Sequence, residues 1–258
     1  MPTAHRQFKD AIYEQFARLG KAVSAPKRLE LLDLLCQGPR TVDGLAEQAA
    51  ISVANASQHL QVLRAARLVE AEKQGLHVEY RLADDEVCRF FLALRTLGQS
   101  RLAEVQQVTR NYFEERGTME PVVGDELLRR VRSGEVTVLD VRPAVEFAAG
   151  HLPGALSIPV AELPARLQEI PPDRDVVAYC RGPGCVMAVE AVELLREQGF
   201  TAHRMEQGVM DWRARGWRVV ADQRAGRPGA ANTKARRSPR SGSRSGSRPT
   251  PRTTGNTP

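Results

Sequence analysis

The 258-residue chain contains no run of eighteen apolar residues, which excludes a membrane-spanning helix. Its opening MPTAHRQFKDAIYEQF carries charges where a secretory signal would place its apolar core. Neither membrane insertion nor export is expected, and a cytoplasmic location is. Four cysteines are too few for a disulfide scaffold at this length, so each is core filler, metal ligand or reactive thiol in a reducing compartment. The five histidines are too scattered to form a metal site by spacing. No internal repeat is present. Residues 223–258 lack Asp and Glu and hold eight Arg and one Lys, so the net charge of +6 divides into +9 there and −3 over residues 1–222. That tail, with RRSPRSGSRSGSRPTPRTTG inside it, has no apolar face whose burial could offset the entropy of ordering, and is expected to be disordered. Two roles stay open for it: a solvated terminus, or a polycation drawn to nucleic acid by counterion release.

A second break falls at Gly117-Thr118-Met119-Glu120-Pro121, where a helical pattern stops and proline blocks its continuation. Three segments follow: residues 1–117, residues 121–220, and the tail. Upstream, Phe8, Ile12, Phe16 and Leu19 recur at helical spacing, and Leu29 to Leu35 form a second helix closed by Gly38-Pro39. Downstream, VTVLDV (136–141) and DVVAYC (175–180) are short apolar runs suited to buried strands, and 124–133, 143–149 and 184–198 read as helices. That alternation predicts an α/β domain with a mostly parallel sheet.

Thr41 and Ser52 are good N-caps, and between them a short helix turns into VANASQHLQVLRAARLV. At 100° per residue, Val53, Ala56, Leu60 and Leu63 share one face and leave Ala54, Asn55, Gln58, Gln61 and Val62 on the other. An uncharged Asn/Gln face suits the major groove, where these amides pair with adenine edges. LVEAEKQGLHVEYRL then reads as a hairpin around Gln74-Gly75, a wing on which Lys73, His77 and Arg81 could meet phosphates.

Arg28-Leu29, Ser52, Ser57, His59-Leu60, Leu63, Tyr80 and Leu82 together resemble the winged-helix repressors of the ArsR/SmtB family over about residues 20–100. The resemblance implies a mainly-α winged helix-turn-helix domain, a homodimer paired through its first and last helices, and repression at an inverted-repeat, double-stranded DNA operator. It places Ser52, Asn55, Ser57, Gln58, His59, Gln61, Lys73 and His77 at the DNA. The family's metal sensors use cysteines before the recognition helix or histidines in the last helix, but residues 42–50 hold no Cys and 84–116 no His. No metal site is expected. Cys36 and Cys88 lie among apolar neighbours as buried filler or, since relatives sense persulfides through a cysteine pair, as a redox sensor.

In the second half, Cys180 closes an apolar run and opens CRGPGCV before a helix. Strand, glycine-rich turn and helix let consecutive N–H groups converge on an anion. A cysteine there is expected to be exposed and to have a lowered pKa, aided by Arg181, with Gly182, Pro183 and Gly184 shaping the loop. A cysteine-dependent phosphatase would need Arg where Val186 stands, and the Cys180–Cys185 spacing suits zinc poorly.

Leu139-Asp140-Val141-Arg142, Glu146-Phe147, Gly150-His151-Leu152-Pro153-Gly154-Ala155, Ile158-Pro159, the Cys180–Cys185 loop, Gly208 and Trp212 make this half look like a rhodanese over about residues 121–220. The resemblance implies an α/β rhodanese-like domain and a sulfurtransferase without cofactor. Cys180 would take sulfane sulfur from a small anionic donor and pass it to a thiol acceptor. N–H groups of residues 181–186 would hold the persulfide, Arg142 and Arg181 the donor, Asp140 would orient Arg142, and His151 would be structural. Gln207 departs from the usual glycine before Gly208, and Cys185 replaces a hydroxyl or arginine, so Cys185 could resolve a persulfide. Two functions follow: a repressor coupled to reactive-sulfur chemistry, or a sulfurtransferase whose winged helix serves dimerisation or docking.

Overall fold

The computed structural model describes residues 3–75, 77–114, 129–131, 133–222 and 255. The first half opens with α1 (Ala4–Val23) and α2 (Pro26–Cys36), followed by β1 (Arg40–Thr41), α3 (Val42–Gln48) and α4 (Val53–Ala65). Proline at the start of α2 lacks an N–H that the first turn could not use. Thr41 and Ser52 cap α3 and α4, each side-chain oxygen accepting at 3.2 Å from Gly44 N and Asn55 N respectively. The hairpin β2 (Val69–Gln74) and β3 (His77–Leu82) pairs Gln74 with His77 across its tip and Ala71 with Tyr80 further back. β1 joins the other edge of β3, giving the antiparallel order β1-β3-β2. Leu31, Leu32, Leu45, Leu60 and Leu63 are fully enclosed between the helices and this sheet.

Two expectations fail in this half. Val53 was placed on the buried stripe of α4 but is 44% exposed, because Ser52 starts the helix where its first turn projects past the core. The last helix, expected to run through 84–116, is α5 (Asp85–Arg101) and α6 (Ala103–Glu114), divided at Leu102 by extended backbone (φ −102°, ψ 105°). After the break α6 brings Tyr112 and Phe113 against the core of the second half.

The second half contains β4 (Val136–Asp140), α7 (Ala144–Ala149), β5 (Leu156–Ser157), α8 (Leu163–Arg166), β6 (Asp175–Tyr179), α9 (Met187–Glu197), β7 (Ala202–Arg204) and α10 (Val209–Ala214). Its four strands are parallel in the order β5-β4-β6-β7. Successive residues of β6 face opposite sides, and both sides are covered. Val176 and Ala178 pack with Leu139, Ala188 and Val192, while Val177 and Tyr179 pack with Val138, Leu152 and Trp212. The fold is thus a mainly-α winged helix-turn-helix followed by a parallel α/β domain. Of the expected helix at 124–133, residues 129–131 and 133 are helical, and the remainder lies outside the described residues. The break at Gly117–Pro121 and, apart from Gly255, residues 223–258 also lie outside them. Among the described residues no helix is long and apolar enough to cross a membrane.

The two halves form one compact unit. Gly38, at φ +143°, comes so near α7 that a Cβ there would lie 2.8 Å from Ala149 Cβ, and Met210 of α10 joins the core of the first half.

Candidate functional site

The chain leaves β4 toward β5 on one side and returns to β6 on the other, so the crevice at the carboxyl ends of β4 and β6 is a topological switch point, where open α/β sheets bind ligands. Cys180 follows β6 at this edge. Its loop closes through Cys185 N donating to Gly182 O at 3.0 Å, and α9 begins two residues later. Gly182 has φ +143°. Gly208 lies against the same turn: a Cβ on it would sit 2.2 Å from Arg181 O and 2.7 Å from Gly182 N, so only glycine allows the approach.

The exposed Cys180 thiolate expected from the sequence is not what the fold builds. Cys180 is 2% exposed, and its Sγ donates to the Cys185 carbonyl at 3.5 Å. Burial pushes its pKa well above the ordinary thiol value, and the Cys185 thiol adds to this; the N–H groups of Ala188 and Gly182 offset it only partly. Cys185 is partly exposed and is shifted down, by the Cys180 thiol first, then by the N–H groups of Arg181 and Met187 and the Arg181 charge, against its own burial. The pair therefore loses its first proton with the charge on Cys185. Pro183 is half-buried, and Gly184 and Val186 are exposed at the rim.

Arg142 also departs from expectation. It is fully enclosed, with its guanidinium bonded to Asp140 (2.6, 3.0 and 3.2 Å), Gly150 O (2.7 Å) and Gln37 Oε1 (3.1 Å). No face of it remains for an anionic donor. Asp140 also accepts from the Arg142 backbone N–H at 3.0 Å. His151 stacks on Phe147 with ring centroids 3.6 Å apart.

Arg181 turns toward the first half. It binds Glu146 at 2.6 Å and hydrogen-bonds Gln48 at the end of α3. Glu146, itself 1% exposed, also pairs with Arg40 of β1 at 2.7 Å. Burial alone would raise the Glu146 carboxyl, but the Arg181 hydrogen bond and the charges of Arg181, Arg40 and Arg142 hold it below the usual carboxylate range. A second interdomain ion pair joins Arg95 of α5 to Asp211 of α10. Gln37, Gln48, Arg95 and the bridging role of Glu146 escaped the sequence reading, since their partners lie about a hundred positions away and no local pattern marks them.

Between α2, α5 and the cysteine loop lies a cavity of about 340 Å³ whose wall includes Asp33, Arg95, Arg181 and Cys185. Desolvation raises the Asp33 carboxyl from 3.8 to about 6, despite the charges of Arg95 and Arg181.

On the groove-reading side, Gln58 and Gln61 are exposed on α4, while Asn55, Ser57 and His59 are half-buried. The Ser52 side chain caps the helix. Lys73 and His77 are exposed at the hairpin tip, whereas Arg81 is engaged with Glu70 at 2.5 Å. Cys36 and Cys88 are brought together between α2 and α5; the Cys88 thiol and burial push Cys36 far above its ordinary pKa. Among the described residues no group of three His, Cys, Asp or Glu could hold a metal ion.

Residues 25–71 match the family described as bacterial regulatory protein, arsR family, and residues 123–215 match the Rhodanese-like domain. The chain is 43% identical over 209 residues to the HTH-type transcriptional regulator Rv0324 of Mycobacterium tuberculosis, covering 81% of this chain and 91% of that protein. A sulfurtransferase of Allochromatium vinosum is 36% identical over 90 residues, which is 34% of this chain and 82% of the relative. Among solved structures, the homodimeric winged helix-turn-helix DNA-binding domain of Mb0332 from Mycobacterium bovis is 36% identical, with TM-score 0.37, over 40% of this chain and 93% of that one.

Proposed function

The chain belongs to the ArsR family of bacterial regulatory proteins and carries a rhodanese-like domain, and from that premise we propose that it is a cytoplasmic transcriptional repressor whose hold on its operator is weakened by sulfane sulfur captured at Cys180. One observation carries the coupling. Arg181, bonded in sequence to Cys180, reaches Gln48 of α3 and, through Glu146, Arg40 of β1, so a change in the loop is felt where the helix-turn-helix begins.

In this reading Gln58 and Gln61 read base edges, with Asn55, Ser57 and His59 beside them. Ser52, Lys73 and His77 meet phosphates. A second copy covers Phe8, Tyr13 and Phe16 of α1, which are 67%, 66% and 61% exposed in the single chain. Four free thiols suit a reducing cytoplasm.

For sulfur capture, the Cys180 proton moves to the Cys185 sulfur, and the Cys180 thiolate gains the N–H groups of Gly182 and Ala188. It attacks the outer sulfur of the donor; the donor's S–S bond breaks and the remainder leaves with the electron pair. Cys180 then holds the persulfide, and an acceptor thiolate attacking its terminal sulfur regenerates the Cys180 thiolate. Cys36 and Cys88, juxtaposed but without main-chain donors acting on Cys36, form a second thiol pair open to oxidation by reactive sulfur.

Operator affinity tests the proposal, using DNA from upstream of the coding sequence at fixed salt. Loading with sulfane sulfur is expected to weaken binding about tenfold, on the order of 1.4 kcal/mol of coupling, and Cys180→Ser to abolish that response. Equal affinity of reduced and loaded protein would overturn the coupling.

A further inference from the structure

The cavity at the mouth of the cysteine loop is built by both halves of the chain. Arg181 and Cys185 come from the loop, Asp33 from α2 and Arg95 from α5. Its size, about 340 Å³, is at the small end of ligand pockets, which run from roughly 300 to 1,000 Å³.

The charges in its wall are unevenly committed. Arg181 is taken up by Glu146 and Gln48, one terminal nitrogen of Arg95 by Asp211, and Glu30, also in the wall, by Lys27 at 2.8 Å. Two polar groups are left over. Arg95 Nε is buried without a hydrogen-bond partner. The Asp33 carboxyl is influenced by burial and by the more distant charges of Arg95, Arg181, Glu146 and Asp211, with no hydrogen bond among them. An arginine with one buried, unbonded nitrogen and a half-buried carboxylate without a hydrogen bond, both in the wall of one small cavity beside a thiol, are what a ligand with one positive and one negative group would satisfy. A compact dianion would satisfy the arginine and be repelled by the carboxylate.

We propose that this cavity binds a zwitterionic amino-acid thiol or persulfide, its ammonium on Asp33 and its carboxylate on Arg95, in preference to an inorganic dianion such as thiosulfate. The inference rests on the sulfur-transfer reading and narrows its substrate class. It also gives the DNA-binding half a direct part in choosing the sulfur carrier, because both selecting side chains belong to it. An ammonium beside Asp33 compensates the desolvation that raises that carboxyl, so the bound state keeps it ionised.

Calorimetric titration of the full chain with S-methylcysteine, which can neither give nor take sulfane sulfur, measures the site apart from the chemistry. Methylthiopropionate, which lacks the ammonium, and thiosulfate serve as comparators. S-methylcysteine is expected to bind, and removal of the ammonium or Asp33→Asn to weaken it at least tenfold; thiosulfate should bind weakly and lose nothing in Asp33→Asn. Thiosulfate binding as tightly as S-methylcysteine, or an Asp33→Asn protein with unchanged affinity for S-methylcysteine, would overturn the proposal. Sulfur loading of Cys180, followed by intact mass, separates the two levels. Loading from thiosulfate without S-methylcysteine binding sinks the zwitterion site alone; binding as expected with no loading from any donor supports the site and sinks the sulfur-transfer reading.

Discussion

Cys36 with Cys88 and Cys180 with Cys185 are both close thiol pairs, yet one is set between two helices and the other in a loop. Within α2 the backbone N–H groups around Cys36 are already committed to the helix ladder, so no main-chain donor acts on it, and its surroundings offer apolar side chains, the Cys88 thiol and the opposed charges of Asp33 and Arg95. In the loop, the N–H groups of Ala188 and Gly182 lower the pKa of Cys180 and those of Arg181 and Met187 that of Cys185, favouring the thiolate at both sulfurs. The difference shows that burial alone does not decide a thiol's chemistry. What decides it is whether the chain has main-chain donors to spare where the sulfur lies.

The sharpest break of that comparison is alkylation. With limiting iodoacetamide at pH 7.5, Cys185 is expected to react on the order of 100-fold faster than Cys36, reflecting both its thiolate fraction and its access to the cavity; peptide mapping over time reads the ratio, and equal rates would erase the distinction. Gly208→Ala should abolish it from the other side. The new methyl meets the Arg181–Gly182 peptide and displaces the donors, so the Cys185 advantage should collapse and urea unfolding should show a loss of about 3 kcal/mol.

The smallest effect concerns Asp33, one turn before Cys36 and in the wall beside Cys185. Its folded pKa of about 6 exceeds the 3.8 of the free side chain, so the folded state binds the proton more tightly. The fold therefore carries no penalty from this group below about pH 4, accumulates one as pH rises toward 6, and carries all of it above, despite the attraction of Arg95 and Arg181 and with Glu146 and Asp211 opposing them. Asp33→Asn should accordingly be more stable than the parent by up to about 3 kcal/mol at pH 7.5, with the gain closing toward pH 4 in denaturant titrations.

Much of this was legible in the sequence where the cause is local. Thr41 and Ser52 announce α3 and α4 through side-chain caps, and the short, largely apolar runs VTVL and VVAY announce strands covered on both faces. Gly208 could be picked out by its motif, though only the structure shows the peptide it accommodates. The break at Leu102 had no glycine or proline to signal it. The burial of Cys180 was hidden for another reason: the loop supplies the right donors, but the thiol packs into the α/β core with Leu139 and Val141, residues far from it in sequence that no local pattern brings together.

That packing has a consequence for how freely the halves can be recombined. Arg142 and Glu146 are among the most deeply enclosed charges of the α/β portion, yet part of what satisfies them comes from the neighbouring portion: Gln37 accepts a hydrogen bond from Arg142, and Arg40 pairs with Glu146. A rhodanese-like fragment cut away from its companion would keep the carboxylate and guanidinium but lose those partners. The join is thus an internal seam, and the chain is a single fused machine instead of two interchangeable cassettes.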